Sequence, residues 1–172
     1  MIDLSSLSTF PAILEHIVSI TPESLWRQRS RAGAFALVEH AWHVADLEEE
    51  AYAMRIERLL SEEAPSFADF AGNVVAIERR YLDQDLRPAL ARYVAAREAN
   101  RQRLLRVQPD EWQRRGTQEK AGEITLARVA ASMLEHDRAH ANELVELLPE
   151  LGLAVPEELA RFAGEEPLAR SA

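Results

Sequence analysis

The sequence predicts an all-α protein, a four-helix bundle. Three observations carry this: apolar residues recur at steps of 3 and 4 along four long stretches, alternating strand patterns are missing, and a loosened segment of roughly twenty residues divides the second stretch from the third. Each stretch presents one apolar stripe, which a bundle buries. The chain has 172 residues. That length fits a single domain over 1–172, with a core at about 8–148 and a C-terminal extension at 149–172.

The first helix is expected from about Phe10 to Ile20, with Ser8 or Thr9 as N-cap and Pro11 in the opening turn. Phe10, Ile13, Leu14, Ile17 and Ile20 would face inward, and Thr21-Pro22 ends it. His16 lies off that stripe and is expected to be merely half-buried. A turn carrying Trp26 leads through the RQRSRAG stretch to the second helix, about Ala34 to Leu60. Its stripe is Phe35, Val38, Trp42, Ala45, Glu49, Tyr52, Ile56 and Leu59, in which only Glu49 is not apolar or aromatic. Between Ser61 and Arg80 the breakers Pro65, Ser66, Gly72 and Asn73 mark a crossover, with a helical lead-in around Ile77 to Tyr81. The third helix runs from about Leu86 to Val107 with Pro88 in its first turn, and its seam contains Leu86, Leu90, Tyr93, Arg97, Asn100, Leu104 and Val107. Beyond Pro109, Trp112 and a polar segment through Gly122, Thr125 caps the fourth helix, about Leu126 to Leu148. A short helix from Pro156 to Phe162 follows.

The long crossover favours an up-down-down-up path, because antiparallel neighbours in bundles are joined by about 2 to 8 residues. The second and fourth helices then run antiparallel. Position 43 lies about nine residues into one and position 138 about ten from the end of the other, a similar depth at about 1.5 Å per residue.

Two histidines occupy core positions. The stripe of the fourth helix passes through Leu126, Val129 and Met133 and resumes at Leu144 and Leu147, and the intervening steps are His136 and His140. Residues at i and i+4 share a helix face, so both imidazoles point inward within reach of one ion. His43 reaches the same depth from the second helix. Its helical neighbours Glu39 and Asp46 are placed to orient its ring. His43, His136 and His140 therefore form the expected metal site, with three ligands and an open position for water or substrate, as catalytic sites have. His40, one turn before His43, is expected to be a supporting or surface residue. The bland alternative for the pair at 136 and 140 is a set of hydrogen-bonded core histidines.

Composition removes other chemistries. There is no cysteine, so thiolate nucleophiles, iron–sulfur clusters and zinc sites of the CxxC type are excluded and any metal takes nitrogen and oxygen ligands. A net charge of −9 and a pI near 5.1 speak against nucleic acid as a partner. No Glu has a His at i+3, which rules out the di-iron carboxylate pattern. The opening stretch has no basic segment followed by an apolar run, and nowhere do eighteen apolar residues run together. The expectation is a cytoplasmic protein without membrane partners.

Polar breaks in the apolar seams supply candidate pocket residues, namely Glu49, Arg97 and Asn100. Arg97 could clamp a substrate carboxylate. It could equally form an internal ion pair with Glu49. Trp26, Trp42 and Tyr52 are candidate walls or plain core, and the arginines at 27, 29 and 31 are candidate anion contacts or a solvated loop.

The stretch RAGAFALVEHAWHVADLEEE, together with EITLARVAASMLEHDRAHANEL, resembles the DinB/YfiT-like superfamily of three-histidine metalloenzymes. The matching parts are His43, Asp46 and Glu48 in one segment and His136, Asp137 and His140 in the other. The resemblance implies an up-down-down-up four-helix bundle, often a homodimer, in which His43, His136 and His140 hold one divalent metal ion, zinc, nickel or iron. Phe35 stands where many relatives have Trp, and Asn142 where they have Gln. Relatives include thiol S-transferases and a thiol-dependent isomerase, so the implied activity is that of a metal-dependent transferase or hydrolase. A low-molecular-weight thiol would be a cosubstrate and a small molecule the substrate, with an open metal position activating water or the thiol. The alternative is a noncatalytic, metal-stabilised bundle acting as a binding or dimerisation module.

Overall fold

In the computed structural model, which describes residues 3–164, four helical rods form the bundle and a small sheet closes one end of it. The first rod, α1 (Thr9–Ile20), is preceded by a 3₁₀ turn over Leu4–Ser8. Ser8 stands at the N-cap of α1 as expected but makes no side-chain cap bond, and the 3₁₀ turn before it is capped by Asp3, which accepts the Ser5 N–H at 2.9 Å. Phe10, Ile13, Leu14 and Ile17 are buried as the stripe requires, but Ile20 is 41% exposed at the frayed end. Thr21 ends the helix by donating its hydroxyl back to the Ile17 carbonyl at 2.7 Å.

The second rod is continuous but not regular. It consists of α2 (Leu37–Leu47), a wide π-helical turn over Glu48–Tyr52, and α3 (Ala53–Ser61). A π turn takes up an extra residue and changes the phase of the rod. Most of the predicted stripe is nonetheless buried, with Val38, Ala45, Tyr52, Ile56 and Leu59 inside, and the rod departs from it at two steps. Ala41 and Glu48 are buried, whereas Trp42 and Glu49 lie at the edge.

The crossover contains the two-residue strand β1 (Ser66–Phe67) and the short helix α4 (Gly72–Glu78), which begins earlier than the expected lead-in at Ile77. It delivers the chain to α5 (Leu86–Leu104), capped by Asp85, which accepts the Arg87 N–H at 3.1 Å. The hairpin β2 (Arg115–Gln118) and β3 (Gly122–Thr125) is antiparallel, and β1 joins β2 in parallel with Ser66 opposite Thr117. This sheet was not expected, because strands of 2 and 4 residues are too short to show an alternating pattern. The last rod, α6 (Leu126–Glu150), opens as predicted, with the Thr125 hydroxyl accepting the Arg128 N–H at 3.1 Å. A final helix, α7 (Glu157–Gly164), lays Phe162 on Phe10 with ring centroids 6.0 Å apart. Residues 165–172 of the C-terminal extension lie outside the described residues.

Cross-helix contacts establish the path. Phe10 meets Tyr93 edge-on while Arg97 donates to the Leu7 carbonyl, so α1 and α5 are antiparallel. Trp42 contacts Asp85, Asp46 contacts Arg92 and Glu48 contacts Asn100, a progression that makes α2 and α5 parallel. His43 lies against His136 while Tyr52 donates to the Ser132 carbonyl, so the second rod and α6 are antiparallel. The bundle is up-down-down-up, as the crossover length implied. No helix among the described residues is long and apolar enough to cross a membrane.

Candidate metal centre

The three predicted histidines converge. The Nε2 atom of His136 lies 3.1 Å from that of His43 and 3.2 Å from that of His140. The His43 and His140 rings are 4.9 Å apart between centroids. Nitrogens bound tetrahedrally to a zinc-like ion at about 2.0–2.1 Å would lie about 3.3–3.4 Å from one another, so the two measured edges are those of a ligand set. The sequence spacing explains this, because α6 supplies two rings one turn apart and antiparallel α2 supplies the third at equal depth.

The protonation states fit the same role. Burial, reinforced by the neighbouring imidazoles, pushes His43 down to about 4 and His136 well below the ordinary histidine value. Both rings are neutral at pH 7 and offer a lone pair, the form that binds metals. His43 Nδ1 is buried without a hydrogen-bond partner among the described residues. Its ring is therefore stabilised through Nε2 or not at all, and a cation at the shared point is what this donor set accommodates.

What orients His43 differs from the expectation. Glu39 is spent on Arg29 and on the Ala36 N–H at 2.9 Å. Asp46 accepts from Arg79, Arg92 and Tyr81. Neither carboxylate is left for the imidazole, since the guanidinium groups win it by charge-assisted bonds. His43 is instead held by shape, between Phe35 at 5.5 Å and Phe70 at 6.0 Å and against the backbone of Gly72. A Cβ on residue 72 would stand 2.2 Å from His43 Cε1. In the sequence Gly72 was only a helix breaker, and nothing in its flanks signalled an imidazole packed upon it.

His140 has polar support. Its Nδ1 lies 2.8 Å from His40 Nδ1 and 3.1 Å from Glu143 Oε2. His40 is thus a buried supporting residue, one of the two roles expected for it. Glu143 was missed, although its place at i+3 from His140 was the available signal.

The polar seam residues lie elsewhere. Arg97 pairs with Asp137 and, at 2.8 Å, with Glu48, while Tyr93 donates to Asp137 at 3.0 Å and Asn100 donates to Glu48 at 2.9 Å. All five are buried. The expected partner Glu49 faces Arg92 at the edge of the bundle instead, because of the π turn. The network braces α5 against α6 directly beside His136.

A cavity of about 530 Å³ opens onto the three histidines. Residues 30–35 form one wall, and Ala139, Glu143 and Glu146 of α6 another, with Arg31 and Glu146 facing each other at the rim at 3.4 Å. Glu49, Arg97, Asn100, Trp26, Trp42 and Tyr52 are not among the residues lining it. Trp26 donates to the Thr21 carbonyl, Arg27 to the Gln84 carbonyl, and His16 pairs with Glu158 far from the site.

A family model, that of the DinB superfamily, matches residues 6–144. No curated protein matches the chain. Among solved structures the chain is similar to YfiT from Bacillus subtilis, with a TM-score of 0.80 and 20% identity over 88% of this chain and 86% of that one. That protein is described as "a probable metal-dependent hydrolase with an unusual four-helix bundle topology". At this identity the likeness establishes a shared fold.

Proposed function

The chain belongs to the DinB superfamily, and from that premise and the histidine geometry we propose that it is a metal-dependent enzyme acting on a small molecule. His43, His136 and His140 would hold one divalent ion, zinc, nickel or iron, through their Nε2 atoms. The observation that carries the reading is the meeting of three imidazole nitrogens, from the buried His43 and His140 and the half-buried His136, at the floor of an open cavity. Held by these three histidines alone, such an ion would leave room for a water, a thiol or a substrate oxygen and would supply Lewis acidity to it.

The surrounding residues support this role. Phe35 and Phe70 keep the His43 side of the site apolar. The brace of Arg97, Asp137 and Glu48 fixes the rotation of α6, on which two of the three ligands ride. Water is the nucleophile we favour over a thiol, in keeping with the hydrolase description of the structurally similar YfiT.

Elemental analysis of protein purified without a histidine tag tests the reading. About one equivalent of zinc, nickel or iron per chain is expected, with loss of the metal in His140→Ala. A protein that takes up none of these ions at micromolar concentration sinks it. Hydrolysis of small esters and amides, assayed before and after chelation, then separates an enzyme from a metal-stabilised binding module.

A further inference from the structure

We propose that His40 and Glu143 are positioning residues that fix the protonation tautomer of His140, holding its proton on Nδ1 and so leaving the Nε2 lone pair aimed at His43 and His136. This rests on the metal reading above and deepens it by naming residues outside the ligand set that prepare a ligand. An imidazole has one lone pair and one N–H when neutral, so the nitrogen that binds an ion must be the bare one. His140 Nε2 lies 3.2 Å from His136 Nε2. A proton there would occupy the point where the ion belongs.

The opposite side of the ring prevents this. His140 Nδ1 has two acceptors in reach, His40 Nδ1 at 2.8 Å and Glu143 Oε2 at 3.1 Å. His140 and His40 are 5% and 1% exposed, so the His40 contact is shielded from water, while the Glu143 carboxylate, 57% exposed, meets the same proton from the cavity side. His40 and Glu143 approach each other to 3.6 Å. They form a closed triangle around one N–H, with His40 carrying its own proton on Nε2 in order to accept. Ligating histidines elsewhere owe their tautomer to one such outer partner. Here there are two, and either can serve when the other is gone.

That redundancy makes the proposal distinctive. His40→Leu and Glu143→Leu should each weaken zinc binding by less than about fivefold, while the double variant should lose about 10- to 100-fold. Glu143→Gln keeps a carbonyl acceptor, so combined with His40→Leu it should recover most of the loss. Titration with zinc against a competing chelator gives the affinities, and the visible spectrum of the cobalt form reports the geometry. Nitrogen-15 shifts of the imidazoles give the tautomer directly. His140 should carry its proton on Nδ1 in the zinc-loaded protein and also without metal, and the metal-free double variant should show a mixture.

A double variant that binds zinc within twofold of the parent with the same cobalt spectrum overturns the proposal. So does a parent whose His140 is protonated on Nε2. Two zinc ions per chain, with one lost in His40→Leu, would show that His40, His140 and Glu143 bind a cation themselves. If the parent binds no ion, the metal reading fails, and the metal-free tautomer still decides whether the triangle controls the ring.

Discussion

Replacing Gly72 by alanine should damage the metal site while leaving the fold nearly intact. The new Cβ would stand 2.2 Å from His43 Cε1 and 2.7 Å from Nδ1. Regaining an ordinary contact of about 3.4 Å requires a relative movement of about 1.2 Å between ring and helix. The ring has little room to retreat, since Phe35 and Phe70 lie on it. A displacement of that size is more than half of a metal–nitrogen bond of about 2.0–2.1 Å, so His43 would cease to be a ligand in its present place. The expected loss of zinc affinity is about 10- to 100-fold or more, equal to about 1.4–2.7 kcal/mol. Gly72 does not have a positive φ. Alanine therefore carries no backbone strain there, and the substitution acts through the crowding of His43. Zinc titration with a competing chelator and thermal melting of the metal-free protein separate damage to the site from damage to the fold. Wild-type zinc affinity in Gly72→Ala would refute the packing of His43 described above.

Three further outcomes follow from the same contacts. The metal-free protein should lose stability in acid: the unfolded chain takes up a proton at His43 near pH 6.5 while the folded one resists until about 4, so this contribution is complete above 6.5 and lost as pH falls towards 4. For His43 alone it amounts to about 3 kcal/mol in full, of which about 2.5 kcal/mol falls between pH 7.5 and 4.5, and urea unfolding at those two pH values should differ by at least that much, a flat profile contradicting the burial of a neutral ring. Asp137→Ala removes a buried carboxylate from Arg97 and should cost about 3–5 kcal/mol, whereas Glu49→Ala, opposite the 38% exposed Arg92, should cost less than about 1 kcal/mol in the same denaturant assay; similar losses would show that the network does not brace the core. Chelation of metal-loaded protein should lower the melting temperature reversibly, since an ion at about a thousand times its dissociation constant stabilises by about 4 kcal/mol, and an unchanged melting curve would mean that no ion was bound to the native state.

The four rods and the shared depth of His43, His136 and His140 were legible because both depend on counting residues along regular helices, and α6 is regular from Leu126 to Glu150. The exchange of Glu48 for Glu49 was not legible. A π turn has no dependable sequence signature, and with alanine at 41, 45 and 51 the stripe tolerates either phase. Orientation of His43 by Glu39 or Asp46 looked plausible from spacing, yet Arg29, Arg79, Arg92 and Tyr81 arrive from distant segments and claim both carboxylates. Contacts of that kind are settled by tertiary packing. Gly72 was invisible for a related reason, since the His43 ring packed on it is remote in sequence, and the three strands were invisible because 2 to 4 residues are too few to show alternation.

The wide turn at Glu48–Tyr52 acts as a phase coupling between the two halves of one rod. Excising a single residue from it would rotate Leu37–Leu47 by about 100° relative to Ala53–Ser61, swinging His43 out of its triangle while the lower half kept its grip on the core. Chain length at this one place therefore decides whether the bundle has a third imidazole to offer.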